Sequence, residues 1–467
     1  MKPLLRLSVS VWALLVFSAL LKDSRAACAD GECDSNQTII ITTTTTTVEF
    51  QSNPNCSLSV SNISGNGSLV GLTPGAVYNI SLDCLNCCKM VTTKPEQVIN
   101  LSVTGISTTS ISLSWNKPTG NISFYKVEWA DGEKENVNET SKTITGLAAG
   151  ENYTISVTAV ADDGRTEGVT EDISQYTKPD VVKNLSVSEI TTSSVSLTWT
   201  KPEGNSTFYR VQWTAGTYNL GVTVSETEMN VTSLTAGVQY TFTIIAVTGD
   251  NKTVGEAKTV SQYTKPDVVR NLSVSEITTS SVSLTWTKPE GNSPFYRVQW
   301  TAGTDNWGVT VNETEMNVTS LTAGVQYTFT IIAVAGDNET VGEAKTVSKY
   351  TKPEVVKSLS VSEITTSSVS LTWTKPEGNS TYYRVQWTAG TNNLGVTVNE
   401  TKMNVTSLTA GVQYTFTITA VAGDNETVGE EKTVSQYTSK MCSASLSAFN
   451  IICCLDRCNL VVILQIT

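Results

Sequence analysis

The sequence predicts an all-β protein, a tandem array of seven-stranded β-sandwiches, and three observations carry that prediction. Trp115, Trp199, Trp286 and Trp373 recur at spacings of 84, 87 and 87 residues, and Tyr153, Tyr240, Tyr327 and Tyr414 recur every 87. Within a unit, large apolar residues alternate with Ser and Thr, so the hydrophobic period is two and not 3.6. Turn-forming clusters of Gly, Asn, Asp and Pro interrupt these runs every 8–12 residues or so.

The boundaries come from Pro95, Pro179, Pro266 and Pro353, each of which follows a Thr-Lys pair. They define four full copies, at residues 95–178, 179–265, 266–352 and 353–438. The second and third copies differ at only eight positions, which points to a recent duplication.

In the second copy Val195, Leu197 and Trp199 alternate with Ser and Thr, and Tyr209, Val211 and Trp213 with Arg and Gln. Tyr240, Phe242, Ile244 and Ala246 alternate in the same way. Each run places its large residues on one face, as a half-buried antiparallel strand requires. Lys201-Pro202-Glu203-Gly204-Asn205, Ala215-Gly216-Thr217 and Thr248-Gly249-Asp250-Asn251 supply the turns between them. About seven such strands in under 90 residues describe a two-sheet sandwich.

The sandwich needs no disulfide, because each buried aromatic contributes on the order of 2–3 kcal/mol. The absence of a Cys…Trp…Cys pattern argues against an immunoglobulin domain. Leu234-Thr235-Ala236-Gly237-Val238-Gln239-Tyr240 resembles the tyrosine corner of fibronectin type III modules, and it recurs at 147–153, 321–327 and 408–414. With the second-strand Trp and the opening Pro, the resemblance covers residues 95–438. Leu72-Thr73-Pro74-Gly75-Ala76-Val77-Tyr78 has the same corner spacing, and Thr93-Lys94-Pro95 closes it. Residues 27–94 therefore read as a divergent or partial copy, in which disulfides substitute for the missing Trp.

Composition sets the outer limits on function. The chain has 467 residues and no histidine, which excludes imidazole bases and His-bearing zinc sites. A net charge of −12 argues against nucleic acid, whose phosphates need a basic surface. Residues 1–26 read as a secretory signal peptide: Lys2 and Arg6, an apolar stretch from Leu7 to Leu21, and small residues at Ser24 and Ala26. An uncleaved membrane anchor is the competing reading of that stretch. Cleavage after Ala26 takes away four basic groups and one acidic group and leaves a charge of about −15.

Six of the ten cysteines, Cys28, Cys33, Cys56, Cys84, Cys87 and Cys88, lie before residue 90, and four lie after 440. In an exported chain the first six are disulfide candidates, with pairing left open among 15 arrangements. Cys84-Leu85-Asn86-Cys87 is also a CxxC, the spacing of redox pairs and metal half-sites, although no second CxxC or His accompanies it.

There are 21 N-x-S/T sequons. Their asparagines are Asn36, Asn55, Asn62, Asn66, Asn79, Asn100, Asn121, Asn138, Asn152, Asn184 and Asn205, then Asn230, Asn251, Asn271, Asn312, Asn317, Asn338, Asn379, Asn399, Asn404 and Asn425. Such density in an exported chain predicts extensive N-glycosylation. Duplication alone also explains why many recur at matched positions.

The last inter-strand loops, 161–165, 248–251, 335–338 and 422–425, lack the Arg-Gly-Asp triplet that some fibronectin modules present there to integrins. Between the second and third copies Tyr218 becomes Asp305 and Leu220 becomes Trp307. Trp307 is either a hydrophobic anchor or a lone surface aromatic.

Residues 439–467 depart from the repeat. Two apolar stretches flank Asp456-Arg457, and three readings stand: a poor membrane anchor, a removable lipid-anchor signal, or an alternative end. The run at 184–199 resembles the ectodomains of receptor-type protein tyrosine phosphatases with many fibronectin repeats. That resemblance implies ligand binding at the cell surface, but it carries over no catalysis. The phosphatase loop needs a His-Cys pair with Arg six positions beyond the Cys, and no cysteine here meets that pattern.

The expected function is a non-catalytic, cofactor-free ectodomain, secreted or at the plasma membrane, that binds an extracellular protein or matrix component. The alternatives are a structural spacer or a secreted decoy of a receptor phosphatase. An enzyme would need clustered Ser, Asp, Glu or Lys groups in a pocket, whereas the Ser and Thr here occupy the polar faces of strands.

Overall fold

Strand formation follows the alternation. In the third repeat Val282, Leu284 and Trp286 are buried, while Ser283 and Thr285 between them lie on the opposite, half-covered face. Gln326–Val334 repeats the pattern, with Tyr327, Phe329, Ile331 and Ala333 buried. These are the period-two faces expected of strands with one side on a core.

The computed structural model describes Cys33, Ile39 and residues 41–51, 56–60, 63–130 and 132–441. The signal-peptide reading, Cys28, Asn36, Asn55, Asn62 and the tail reading fall mostly or wholly outside those residues. The described residues contain strands, turns and bends and no helix, so none crosses a membrane as a long apolar helix.

By contact the chain forms two compact units. One comprises residues up to Val187 with Leu197–Met229 and Thr241–Val260; the other comprises Ser188–Ser196, Asn230–Tyr240 and the residues from Ser261 onward.

Within the second unit, the third repeat pairs Arg270–Ile277, Val282–Thr287 and Glu315–Val318 in a three-stranded sheet. Its four-stranded sheet runs Asp305–Val311, Phe295–Ala302, Gln326–Val334 and Val341–Tyr350. Pairing is antiparallel throughout both sheets. The fourth repeat has the same two sheets, with Lys357–Ser362, Val369–Thr374 and Lys402–Val405 in one. Asn392–Val398, Tyr382–Ala389, Gln413–Val421 and Val428–Tyr437 form the other.

In the first unit the first repeat repeats this plan, with three strands in one sheet and four in the other. The sheets of the second repeat also hold three and four strands. The all-β expectation therefore holds, with seven strands in each repeat.

Each core is built around an aromatic pair. Trp115, Trp199, Trp286 and Trp373 meet Tyr125, Tyr209, Tyr296 and Tyr383 edge-on at centroid distances of 5.4–5.5 Å. The four buried indole N–H groups have no hydrogen-bond partner, so these tryptophans act through packing.

The cysteine-containing segment has a complete strand set. Ile41–Thr43, Thr47–Phe50 and Ser68–Val70 form its three-stranded sheet; Ile63–Asn66, Ser57–Val60, Val77–Leu82 and Cys87–Thr92 form the other. Seven strands are thus placed in this segment. Val48, Phe50, Leu58, Leu69, Ile80 and Leu82 fill its core without a tryptophan. Cys56, itself buried, is bonded to Cys84.

The first strand of the third repeat bulges between Arg270 and Ser273, where Asn271 adopts φ 50°. Asn100, Asn184 and Ser358 take the same left-handed conformation in the other repeats. Asparagine tolerates that conformation better than most residues, which favours Asn at 100, 184 and 271.

Candidate functional site

The tyrosine corner forms as the sequence predicts. The Thr322 N–H donates to the Tyr327 hydroxyl at 3.0 Å, and Thr235 and Thr409 make the same bond to Tyr240 and Tyr414. Ala148 donates to Tyr153 at 2.9 Å, and Thr73 donates to Tyr78 at 2.8 Å in the cysteine-containing segment.

A second residue locks each corner, and sequence reasoning missed it. The threonine of each Thr-Lys-Pro boundary is buried. Thr264 and Thr351 each donate from Oγ1 to a corner carbonyl, of Thr235 and Thr322, at 2.6 Å. The same hydroxyls accept the N–H of Val238 and Val325 at 3.1 Å. Thr93, Thr177 and Thr438 repeat the arrangement. The constant spacing of 24 residues from the corner tyrosine to the threonine in the four repeats (15 in the cysteine-containing segment) was the available signal.

The corners also form the joints between successive sandwiches. The N–H groups of Asn121, Asn205, Asn292 and Asn379 donate to the carbonyls of Pro74, Ala149, Ala236 and Ala323 at 2.8–2.9 Å. Only glycine fits beside those contacts. At Gly324 (φ +68°) an added Cβ would lie 1.5 Å from the Asn379 carbonyl oxygen, and at Gly150 it would lie 1.6 Å from that of Asn205.

The last inter-strand loops are also drawn into joints. An added Cβ at Gly336 would meet the Tyr263 hydroxyl at 2.9 Å, and one at Gly423 would meet that of Tyr350 at 2.8 Å. Each of these loops is held by its own aspartate. Asp337 Oδ1 accepts from the backbone N–H of Glu339 and Thr340, and its Oδ2 accepts from Thr340 Oγ1 at 2.7 Å.

Asp250 does the same with Lys252 and Thr253 and adds Thr248 Oγ1. Burial alone would raise the Asp250 carboxyl, but these donors outweigh it and hold the pKa at about 2. Asp163 is likewise pushed up by burial and brought down to about 2 by its donors, chiefly Thr166. These loops are braced elements, held by their own side chains and by the neighbouring sandwich.

The freest surface is the edge strand of each four-stranded sheet. Tyr218–Val224, Asp305–Val311 and Asn392–Val398 are exposed at every position except the last. Leu220, Trp307 and Leu394 stand opposite Trp213, Trp300 and Trp387, which in turn stand opposite the buried Phe242, Phe329 and Phe416. Residues directly opposite share a face, so the edge strand projects its inward face beyond the core it belongs to.

Trp307 is not a lone surface aromatic. It is 43% exposed, and its ring lies 6.3 Å from that of Tyr327, across a cavity of about 550 Å³ in the third repeat.

Seventeen of the eighteen sequon asparagines among the described residues are exposed, and Asn79 is half-buried. Asn100, Asn184, Asn251, Asn271, Asn338 and Asn425 have positive φ. The disulfides pair Cys33 with Cys87 and Cys56 with Cys84, and Cys88 is also disulfide-bonded. The two halves of the CxxC thus bond elsewhere and not to each other.

Fibronectin type III domains match residues 93–175, 180–262, 267–349 and 352–436, and the chain belongs to that family. It is 35% identical to a chicken (Gallus gallus) receptor-type tyrosine-protein phosphatase eta over 81% of its length, covering 28% of that protein. Against human (Homo sapiens) receptor-type tyrosine-protein phosphatase H the identity is 34% over 79% of this chain and 35% of the relative. Chicken tenascin-R is 27% identical over 82% of this chain and 30% of its own length. The chain therefore spans about a third of these relatives or less, and every matched domain in it is of the fibronectin type.

Proposed function

We propose that this chain is a non-catalytic, N-glycosylated extracellular array that recognises a protein or matrix partner, with residues 27–94 as a fifth, disulfide-braced sandwich ahead of the four repeats. The observation that carries the reading is the division of surface. Corner and last-loop elements join neighbouring sandwiches, while the edge strands and nearly all described sequons stay open to solvent. The kinship with receptor-type phosphatases and a tenascin agrees with a place outside the cell.

A spacer reading has one specific observation behind it. The loops that often carry recognition in this architecture are occupied in joints, and a chain built only to hold distance would use them so. Export and glycosylation are tested by expression in cultured secretory cells, with intact mass measured before and after enzymatic removal of N-glycans. A large mass loss on the secreted chain supports the reading. Retention inside the cell without glycans contradicts it.

A further inference from the structure

The second, third and fourth repeats share one framework, and this makes the differences at a single place informative. The hairpin tip and edge strand carry Tyr218 and Leu220 in the second repeat, Asp305 and Trp307 in the third, and Asn392 and Leu394 in the fourth. Two of the eight differences between the second and third repeats thus fall at adjacent inward-facing positions of one strand. Together they exchange an uncharged, aromatic-aliphatic pair for a carboxylate beside an indole.

Both residues line the cavity of about 550 Å³. Trp300, Trp307 and Tyr327 give it aromatic walls, Leu321 and Val325 belong to its apolar lining, and Asp305 stands at its rim on the hairpin. Asp305 takes part in none of the ion pairs among the described residues. Tyr327 is 3% exposed where Tyr240 and Tyr414 are 8% and 9%, so Trp307 also roofs the corner beneath it.

We infer that this cavity of the third repeat is a recognition pocket for a basic side chain, an arginine above all, presented by an extracellular protein partner. A guanidinium plane stacks on an accessible indole face such as that of Trp307, and its donors match a carboxylate in fork geometry. The chain's net charge of −12 favours the approach of a basic partner. An apolar side chain would use the aromatic walls equally well but would leave Asp305 without a counter-charge. The fourth repeat, with Asn392 and Leu394, offers neither the charge nor the indole.

The inference rests on the extracellular-recognition reading and narrows it to one pocket. The probe is a penta-arginine peptide titrated into the full secreted chain by calorimetry at 0.15 M salt, with pentaglutamate as control. One saturable site is expected, weakened at least tenfold in Trp307→Leu and in Asp305→Asn. Both variants place in the third repeat the residues that already stand in the fourth, so the fold tolerates them. The reciprocal pair Asn392→Asp with Leu394→Trp is expected to raise the stoichiometry from one to two. Absence of saturable binding, or binding unchanged in Trp307→Leu, would overturn the pocket. Either result would leave saturable binding of the whole chain to cells, the test of the broader reading, unaffected.

Discussion

The Thr351 hydroxyl donates a 2.6 Å hydrogen bond to the carbonyl of Thr322, so the last residues of the third repeat clamp the loop that leads into its tyrosine corner. The same hydroxyl accepts the Val325 N–H at 3.1 Å. A buried side chain thereby satisfies backbone groups that no strand can reach.

Thr351→Val keeps the shape and removes both bonds. The loss is expected to be about 1 kcal/mol or somewhat more, because a partly buried carbonyl and a partly buried N–H lose their partner. Several domains unfold in one chain, so a single melting curve is a poor readout. Hydrogen exchange at the Val325 amide reads the site directly, and faster exchange there, with the fourth repeat unchanged, is the expected result.

Gly324 and Gly411 separate the joint from the corner. Both have left-handed φ, +68° and +70°, but an added Cβ at Gly324 strikes the Asn379 carbonyl, whereas at Gly411 it meets only the Lys440 side chain at 3.3 Å. Alanine at either position costs about 1–2 kcal/mol of backbone strain. Gly324→Ala is expected to cost more, and to expose the Asn379 amide to exchange as its bond to Ala323 opens. Equal effects of the two substitutions would mean that the joint adds nothing.

The repeat beat, the strand faces and the tyrosine corner were legible in the sequence because each depends on residues within about 90 positions and on a fixed side-chain period. Val282, Leu284 and Trp286 announce their buried face by alternation alone. The roles of Thr351, Gly324 and Asn379 were not legible, since they arise where distant segments meet, and the repeat period that marks Thr351 and Gly324 does not say what they touch. The pairing of Cys56 with Cys84 and Cys33 with Cys87 was beyond spacing arguments for the same reason. Trp307 could be noticed as a difference, but its place over Tyr327 depends on an edge strand that overhangs its core.

The last-loop aspartates set an acid limit. Asp163 and Asp250 have folded pKa values of about 2, below the ordinary value of 3.8. A depressed carboxylate contributes stability that is fully present above its unfolded pKa and is lost as the pH falls through the folded one. Stability of the 248–253 loop is therefore expected to hold from neutral pH down to about 4 and to decline toward pH 2. Amide exchange at Thr253 across that range checks it, and Asp250→Asn should flatten the profile.

Reduction should act on one sandwich alone. The Cys56–Cys84 bond closes a loop of 28 residues, for which chain entropy predicts about 3–4 kcal/mol. With reductant, the Ile80 and Leu82 amides are expected to lose protection while those of Phe329 and Phe416 keep theirs. Uniform loss along the chain would show that the repeats depend on the disulfide-braced segment.

On the proposed reading, the array recognises a partner and does not merely hold distance. The most direct measurement is saturable binding of the labelled, glycosylated chain to the surface of cultured cells, with competition by unlabelled chain. Binding that saturates and is displaced is the predicted result. Linear, non-displaceable association across cell types and concentrations would contradict it and leave the chain a spacer.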